Sequence, residues 1–237
     1  MKGPLFFAKI LLFGEYGIIK DSKGLSIPYN FYRGALKIPT DDSEFDKNSN
    51  QKLVDFAAYL KTLDSTVIEF DWYKLDRDLA NKMYFDSSIP QGYGVGSSGA
   101  LVAAIYDQYA CFKITVLENL TKEKLVYLKN IFGLMESFFH GKSSGLDPLN
   151  SYLSLPILIN SKENIQTTGI PSQHTKGKGA VFLLDSGKTG KTAPMVSMFM
   201  ENMKKEWFSN MMRDQFIKCS DDCVEDFLKG NISSLFK

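Results

Sequence analysis

Apolar and polar positions alternate along this chain with two different periods. Between residues 121 and 139 the side chains Leu125, Leu128, Phe132, Met135 and Phe139 return at three- and four-residue steps, which is one face of an α-helix. Thr121 is a fitting N-cap for that helix, and Gly141 a fitting stop. Leu53, Phe56, Ala57 and Leu60 mark a second such face within residues 51–63. The pattern also predicts helices over 75–83, 98–110, 193–203, 206–218 and 221–228. Short apolar runs predict strands over 5–12, 17–19, 24–29, 31–38, 153–159 and 179–184. A turn falls at Gly14-Glu15, Pro28 suits a sheet edge, and Pro156 breaks its run. Residues 111–117 fit either an extension of the preceding helix or a connection. Polar stretches at 40–50, 161–178 and 185–192 read as loops. Strands and helices mixed in this way predict an α+β fold.

The chain has 237 residues, enough for one large domain or two small ones. Its 28 basic and 27 acidic side chains nearly cancel, so nothing argues for a nucleic-acid or membrane-surface partner. No stretch reaches the roughly 18 apolar residues of a membrane span. Lys9 interrupts the apolar run at 5–13 and no small-residue cleavage site follows, so the N-terminus does not read as a secretion signal. A charge inside an apolar strand suits a functional residue, although a lysine snorkelling from an edge strand looks the same. The three cysteines do not make a disulfide framework. Cys219 and Cys223 lie at helical spacing with no histidine near them, so a reduced, cytoplasmic protein is expected.

The chemistry concentrates in Pro90-Gln91-Gly92-Tyr93-Gly94-Val95-Gly96-Ser97-Ser98-Gly99-Ala100. Glycines permit positive φ and close backbone approach. An apolar, helix-like segment follows at once. The first N–H groups of a helix have no internal partner, and the dipole there favours negative charge. A Gly-rich loop that opens a helix is therefore a phosphate cradle. The spacing fits neither the Walker A loop nor the dinucleotide fingerprint. The later run Gly187-Lys188-Thr189-Gly190-Lys191-Thr192 fails the Walker A test as well, because no glycine stands five places before Gly190 or before Gly187.

The glycine loop resembles the ATP loop of the GHMP kinases, the family of galactokinase, homoserine kinase, mevalonate kinase and phosphomevalonate kinase. Two further segments resemble that family in the expected order. Lys9-Ile10-Leu11-Leu12-Phe13-Gly14-Glu15-Tyr16-Gly17-Ile18-Ile19 is similar to its N-terminal motif. Glu136, followed by His140-Gly141-Lys142-Ser143-Ser144-Gly145-Leu146-Asp147, is similar to the segment that carries its acidic catalytic residue. The form of this last motif is most similar to that of the family's mevalonate kinases. Tyr16 stands where those have His, Ser143 where the family has Pro, and Pro148 where it has Asn. Members also carry a third, C-terminal Gly-rich motif; nothing after Gly190 is Gly-rich, which reads as a truncated or shortened form.

The resemblance implies a two-domain α+β fold. Residues 1–159 would form the ATP-binding domain, a mixed sheet backed by helices. Residues 160–237 would form an incomplete C-terminal α/β domain, with the active site in the cleft between the two. It implies an ATP-dependent kinase acting on a small-molecule hydroxyl, mevalonate favoured, as a monomer or homodimer. Residues 90–100 would hold the phosphates, and Ser98 and Glu136 would ligate Mg²⁺. Asp147 would accept or polarise the acceptor's proton, Lys9 would stabilise charge on the transferring oxygen, and Glu15, Tyr16, Gly145 and Asp147 would line the acceptor pocket. His140 would brace the loop. Read without the resemblance, Ser98 is a helix cap, Glu136 an exposed helix residue and Asp147 a turn residue. The rival readings are another member of the family, acting on phosphomevalonate or a sugar, and a non-catalytic nucleotide-binding module.

Overall fold

The computed structural model describes residues 4–41, 45–171, 183–190 and 192–236. The chain divides into two compact units. One is built from Met1–Ile10, Pro28–Pro90 and Val95–Leu155, the other from Leu11–Ile27, Gln91–Gly94 and Pro156–Lys237. Two strands, β1 (Phe6–Phe13) and β2 (Gly24–Lys37), each begin in one unit and end in the other.

In the first unit the end of β2 pairs antiparallel with β3 (Tyr84–Ser87), from Gly34 opposite Ser87 to Lys37 opposite Tyr84. Five helices accompany these strands: α1 (Lys47–Leu60), α2 (Trp72–Ala80), α3 (Ser97–Tyr109), α4 (Lys122–His140) and α5 (Leu146–Leu153). Apolar on nearly every side, α3 is buried nearly all round: Ala100, Val102, Ala103, Ala104, Ile105 and Tyr106 are all buried. The face of α4 formed by Leu125, Leu128, Phe132 and Met135 is buried as its spacing predicts, and so are Leu53, Phe56, Ala57 and Leu60 of α1. The rings of Tyr106, Phe132 and Tyr152 meet edge to face with centroids 5.0 to 5.6 Å apart, tying α3, α4 and α5 together.

In the second unit the start of β2 pairs antiparallel with β4 (Ile157–Ser161), and β4 pairs antiparallel with β5 (Asn164–Thr167). The helices here are α6 (Thr192–Asn202), α7 (Glu206–Met211) and α8 (Lys218–Lys229). A small core of Leu25, Leu158 and Val224 seats α8, with Phe13 and Phe227 packed against it. The Asp221 carboxylate also accepts from the Lys23 N–H at 2.7 Å.

Several elements depart from the sequence pattern. Residues 17–19 are not a strand but lie in a 3-10 turn, Gly17–Lys20, for which three residues after a Gly-Glu turn are too few to build a ladder. The two strands expected at 24–29 and 31–38 are one. Pro28 falls between Ser26, the last residue paired with β4, and Gly34, the first paired with β3. Helix α1 starts four residues early because Asp46 caps it, its side chain accepting from the Ser49 N–H at 2.9 Å. Residues 111–117 are not helical. The break expected between 218 and 221 is absent, since α8 runs through it, and a π-helical turn, Met212–Ile217, joins α7 to α8 inside the helix expected at 206–218. Helix α5 was not foreseen, nor were the four-residue strands β3 and β5. Of the strand expected at 179–184 only Leu183 and Leu184 are described, and neither lies in a strand; the rest of it, like His174, lies outside the described residues.

Candidate active site

The glycine loop has the backbone its sequence demands. Gly92, Gly94 and Gly96 have φ of 81°, 70° and 82°, values that side-chain-bearing residues rarely adopt. Gly96 is the residue before α3, so Ser97, Ser98 and Gly99 open the helix and their N–H groups have no acceptor within it. Pro90, Gln91 and Tyr93 complete the turn, and buried Val95 anchors it: its carbonyl accepts from the Lys9 N–H at 3.0 Å. Ala100 is fully buried under the loop.

Four candidate side chains of the first unit converge around the start of α3. Lys9 is 8% exposed, and its Nζ lies 2.9 Å from Asp147 Oδ1. A buried ammonium requires a partner, and this carboxylate supplies it. The pair's close approach to α3 depends on small residues. A Cβ on Gly96 would meet Lys9 Cγ at 3.0 Å, and one on Gly99 would lie 2.8 Å from the Asp147 carbonyl carbon. Asp147 itself stands in the first turn of α5, whose N-cap is Gly145 at φ 74°. There a Cβ would fall 1.9 Å from the Lys129 carbonyl oxygen, so α5 reaches this position against α4 only with glycine at its start.

Glu136 is 3% exposed, on the buried face of α4 rather than its solvent face. Ser98 Oγ donates to its Oε1 at 2.9 Å, and Ser143 Oγ donates to its Oε2. Ser143 Oγ in turn accepts from the Gly145 N–H at 3.0 Å. His140 Nε2 lies 3.0 Å from Ser98 Oγ. A hydroxyl has one proton to give; while Ser98 gives it to Glu136, the His140 contact calls for the ring tautomer that carries its hydrogen on Nε2. Burial, and then the nearby Asp147 charge, push the Glu136 carboxyl up to about 7; the two serine hydroxyls and Lys9 oppose that rise.

This set fits a hard divalent cation. Ser98 and Glu136 offer oxygen only, the donor type Mg²⁺ prefers, and Mg²⁺ bound to nucleotide phosphates takes just one or two protein ligands. Among the described residues no cluster of three or more His, Cys, Asp or Glu side chains is placed to hold a metal. Ser143 was not singled out from the sequence as a site residue. Its contact is made across a turn that follows Gly141, and no helical or strand period announces it.

In the second unit Glu15 is exposed and Tyr16 half-buried. Tyr16 has φ 59°, an uncommon conformation for an aromatic residue. Its ring stacks on Phe199 with centroids 5.3 Å apart. It borders a groove of about 260 Å³ lined with Met195, Met198, Phe199 and Phe216 and, at one polar point, Asn202. Elsewhere in this unit the Gly190 N–H donates to the Gly92 carbonyl at 2.9 Å, and Thr189 packs over Gly92. The three cysteines are free, and no helix among the described residues is long and apolar enough to cross a membrane.

No curated protein matches the sequence significantly. Mevalonate kinases are among the solved structures with a similar fold. The L. major mevalonate kinase in complex with R-mevalonate superposes with a TM-score of 0.56 at 16% identity, over 98% of this chain and 73% of that one. The Methanococcus jannaschii mevalonate kinase gives 0.52 at 16% identity, over 97% and 73%. At such identities the likeness is one of fold. Residues 59–154 match the family model of the GHMP kinases N terminal domain. The matched segment holds Ser98, Glu136 and Asp147, so the likeness to that family's N-terminal domain covers three of the four candidate side chains.

Proposed function

We propose that this protein is an ATP-dependent kinase that transfers the γ-phosphoryl group to the hydroxyl of a small molecule, with mevalonate the favoured acceptor. The observation that carries the reading is the 2.9 Å pair of a buried Lys9 with Asp147, set beside the Ser98–Glu136 pair in one unit. Phosphoryl transfer asks for positioning and charge neutralisation more than for covalent chemistry. The N–H groups of residues 92–100 hold phosphate oxygens. Asp147 accepts the acceptor's hydroxyl proton as that oxygen bonds to the γ-phosphorus and the bond to the β-phosphate oxygen breaks. Lys9 Nζ holds Asp147 in place and stabilises charge on the transferring oxygen. Ser98 and Glu136 would hold Mg²⁺, which when bound neutralises charge on the phosphates. The likeness of fold to mevalonate kinases supports the choice of acceptor, as does the form of the segment 140–147.

One observation favours a second acceptor class. Tyr16, expected to line the acceptor pocket, sits in an apolar, methionine-rich groove. That lining suits an alcohol with a larger apolar body than mevalonate has.

ADP release with Mg-ATP tests both readings, with mevalonate, phosphomevalonate, galactose, homoserine and a series of aliphatic alcohols as acceptors and Asp147→Ala as control. Turnover with mevalonate, lost in the control, is the expected result. Turnover with another acceptor keeps the chemistry and moves the substrate. ATP binding without turnover on any acceptor would overturn the kinase reading.

A further inference from the structure

We propose that Ser143 is a positioning residue that fixes the metal-binding carboxylate of Glu136 and links it to the helix carrying Asp147. The inference rests on the reading of Glu136 as a Mg²⁺ ligand and adds to it a residue of the surrounding shell.

A carboxylate as buried as that of Glu136 must have both oxygens satisfied. Ser98 supplies one donor, on Oε1, and Ser143 the other, on Oε2. The two contacts differ in kind. Ser98 opens the helix behind the glycine loop, and its oxygen would also face the cation. Ser143 lies on the far side of the carboxylate, in the turn between α4 and α5. The last torsion of a glutamate is soft and roughly two-fold. Held at Oε1 alone, the carboxylate plane can turn; held at both oxygens, it cannot.

The Ser143 hydroxyl is itself oriented. Its oxygen accepts from the Gly145 N–H at 3.0 Å, so its proton points away from that amide and onto Glu136 Oε2. A hydroxyl given to a carboxylate makes one of the stronger protein hydrogen bonds. The result is a directed string: Gly145 N–H to Ser143 Oγ, Ser143 O–H to Glu136 Oε2, with Ser98 O–H on Oε1. Gly145 is the N-cap of α5, two residues before Asp147, and its place is fixed by its contact with α4 at Lys129. A single serine hydroxyl therefore links the metal carboxylate to the start of the helix that carries the catalytic carboxylate.

Such outer groups usually carry about 10- to 100-fold in metal affinity or activity. The experiment is calorimetric titration of Mg²⁺ into the full chain saturated with a non-hydrolysable ATP analogue, beside steady-state kinetics. Ser143→Ala is expected to weaken Mg²⁺ binding roughly tenfold or more. It should raise the Mg²⁺ concentration for half-maximal rate in step, leave the acceptor KM unchanged and speed hydrogen exchange at the Gly145 amide. Ser143→Thr, which keeps the hydroxyl, should restore all of these. Should the alanine variant fail to fold, Ser143→Cys tests the same contact, because a thiol is a poor donor and acceptor in nearly the same shape; weakened Mg²⁺ binding is again expected. If Glu136→Gln leaves Mg²⁺ affinity intact, the metal reading of Glu136 is wrong and the inference falls with it. If Glu136→Gln abolishes that affinity while Ser143→Ala or Ser143→Cys preserves it, the metal reading stands and the inference alone is overturned.

Discussion

Lys9 and Asp147 depend on each other unequally. The lysine is almost wholly buried, whereas the Asp147 side chain is 35% exposed and can be hydrated without its partner. Removing the lysine charge therefore leaves no unpaired ion in the interior, and removing the aspartate does. Lys9→Met is expected to lower kcat by about 10²- to 10³-fold, the scale of a lost electrostatic stabiliser, while the melting temperature stays within a few degrees of the parent. Asp147→Ala is expected to lower kcat by a similar factor or more, and to melt lower than Lys9→Met because an ammonium is left buried alone. Kinetics and thermal melts on the two variants decide it; a stabler Asp147→Ala protein would sink the account. At this scale much of the site was open to reading from sequence. A charge inside an apolar strand marks Lys9. Glu136 sits among Met135, Phe138 and Phe139, neighbours from which partial burial is legible, and it is 3% exposed. The contact of Ser143 is not legible, because its partner lies across an irregular turn.

At the scale of elements, helix α5 shows what the pattern hides. Asp147-Pro148 looks like the start of a turn, yet proline in the first turn of a helix gives up an N–H that has no partner there in any case. Helix α5 is eight residues long, too short for its period to show, and buried on nearly every residue from Pro148 to Leu153. Its place is set by Gly145 and Gly99, and with Gly94 of the loop as a reference these make a graded test. Alanine at Gly145 meets both a positive φ and a carbonyl oxygen at 1.9 Å. Alanine at Gly99 meets backbone atoms at 2.8 Å with no unfavourable φ. Alanine at Gly94 meets a positive φ of 70° and open space. The expected losses in unfolding free energy are more than about 3 kcal/mol for Gly145→Ala, about 1 to 3 for Gly99→Ala and about 1 for Gly94→Ala. Urea denaturation gives the order. A Gly145→Ala protein as stable as the Gly94→Ala one would mean that α5 does not pack on α4 as described. Long periodic helices such as α1 and α4 were legible because each displays several turns of one face. The strands β3 and β5, with four residues each, show no period at all and exist through pairing with β2 and β4.

Stability belongs to the whole molecule, and Glu136 gives it a pH dependence whose sign can be worked out. Burial and the neighbouring Asp147 charge raise this carboxyl from 4.5 to about 7. Between those values the folded chain holds a proton that the unfolded chain has released. Stability therefore falls as pH rises through that window; the penalty is absent below about 4.5 and complete above about 7. A rise of this size corresponds to roughly 3 kcal/mol, which in a chain of this length moves the melting temperature by about 5 °C or more. Many groups titrate over the same range, so the contribution is isolated by difference. With a chelator present, Glu136→Gln is expected to melt several degrees higher relative to the parent at pH 8 than it does at pH 5. The glutamine keeps the contacts to Ser98 and Ser143 in range while removing the charge. With Mg²⁺ and nucleotide added, the comparison reverses in meaning. A cation beside the carboxylate favours its ionised form, so the parent gains at pH 8 and the variant does not. Equal differences at the two pH values without metal would show that Glu136 is ionised in the folded chain at no cost. Equal gains on adding Mg²⁺ and nucleotide would show that the cation is held elsewhere. The same variant thus reads, in one set of melts, whether the buried carboxylate is a burden to the fold and whether the metal is what relieves it.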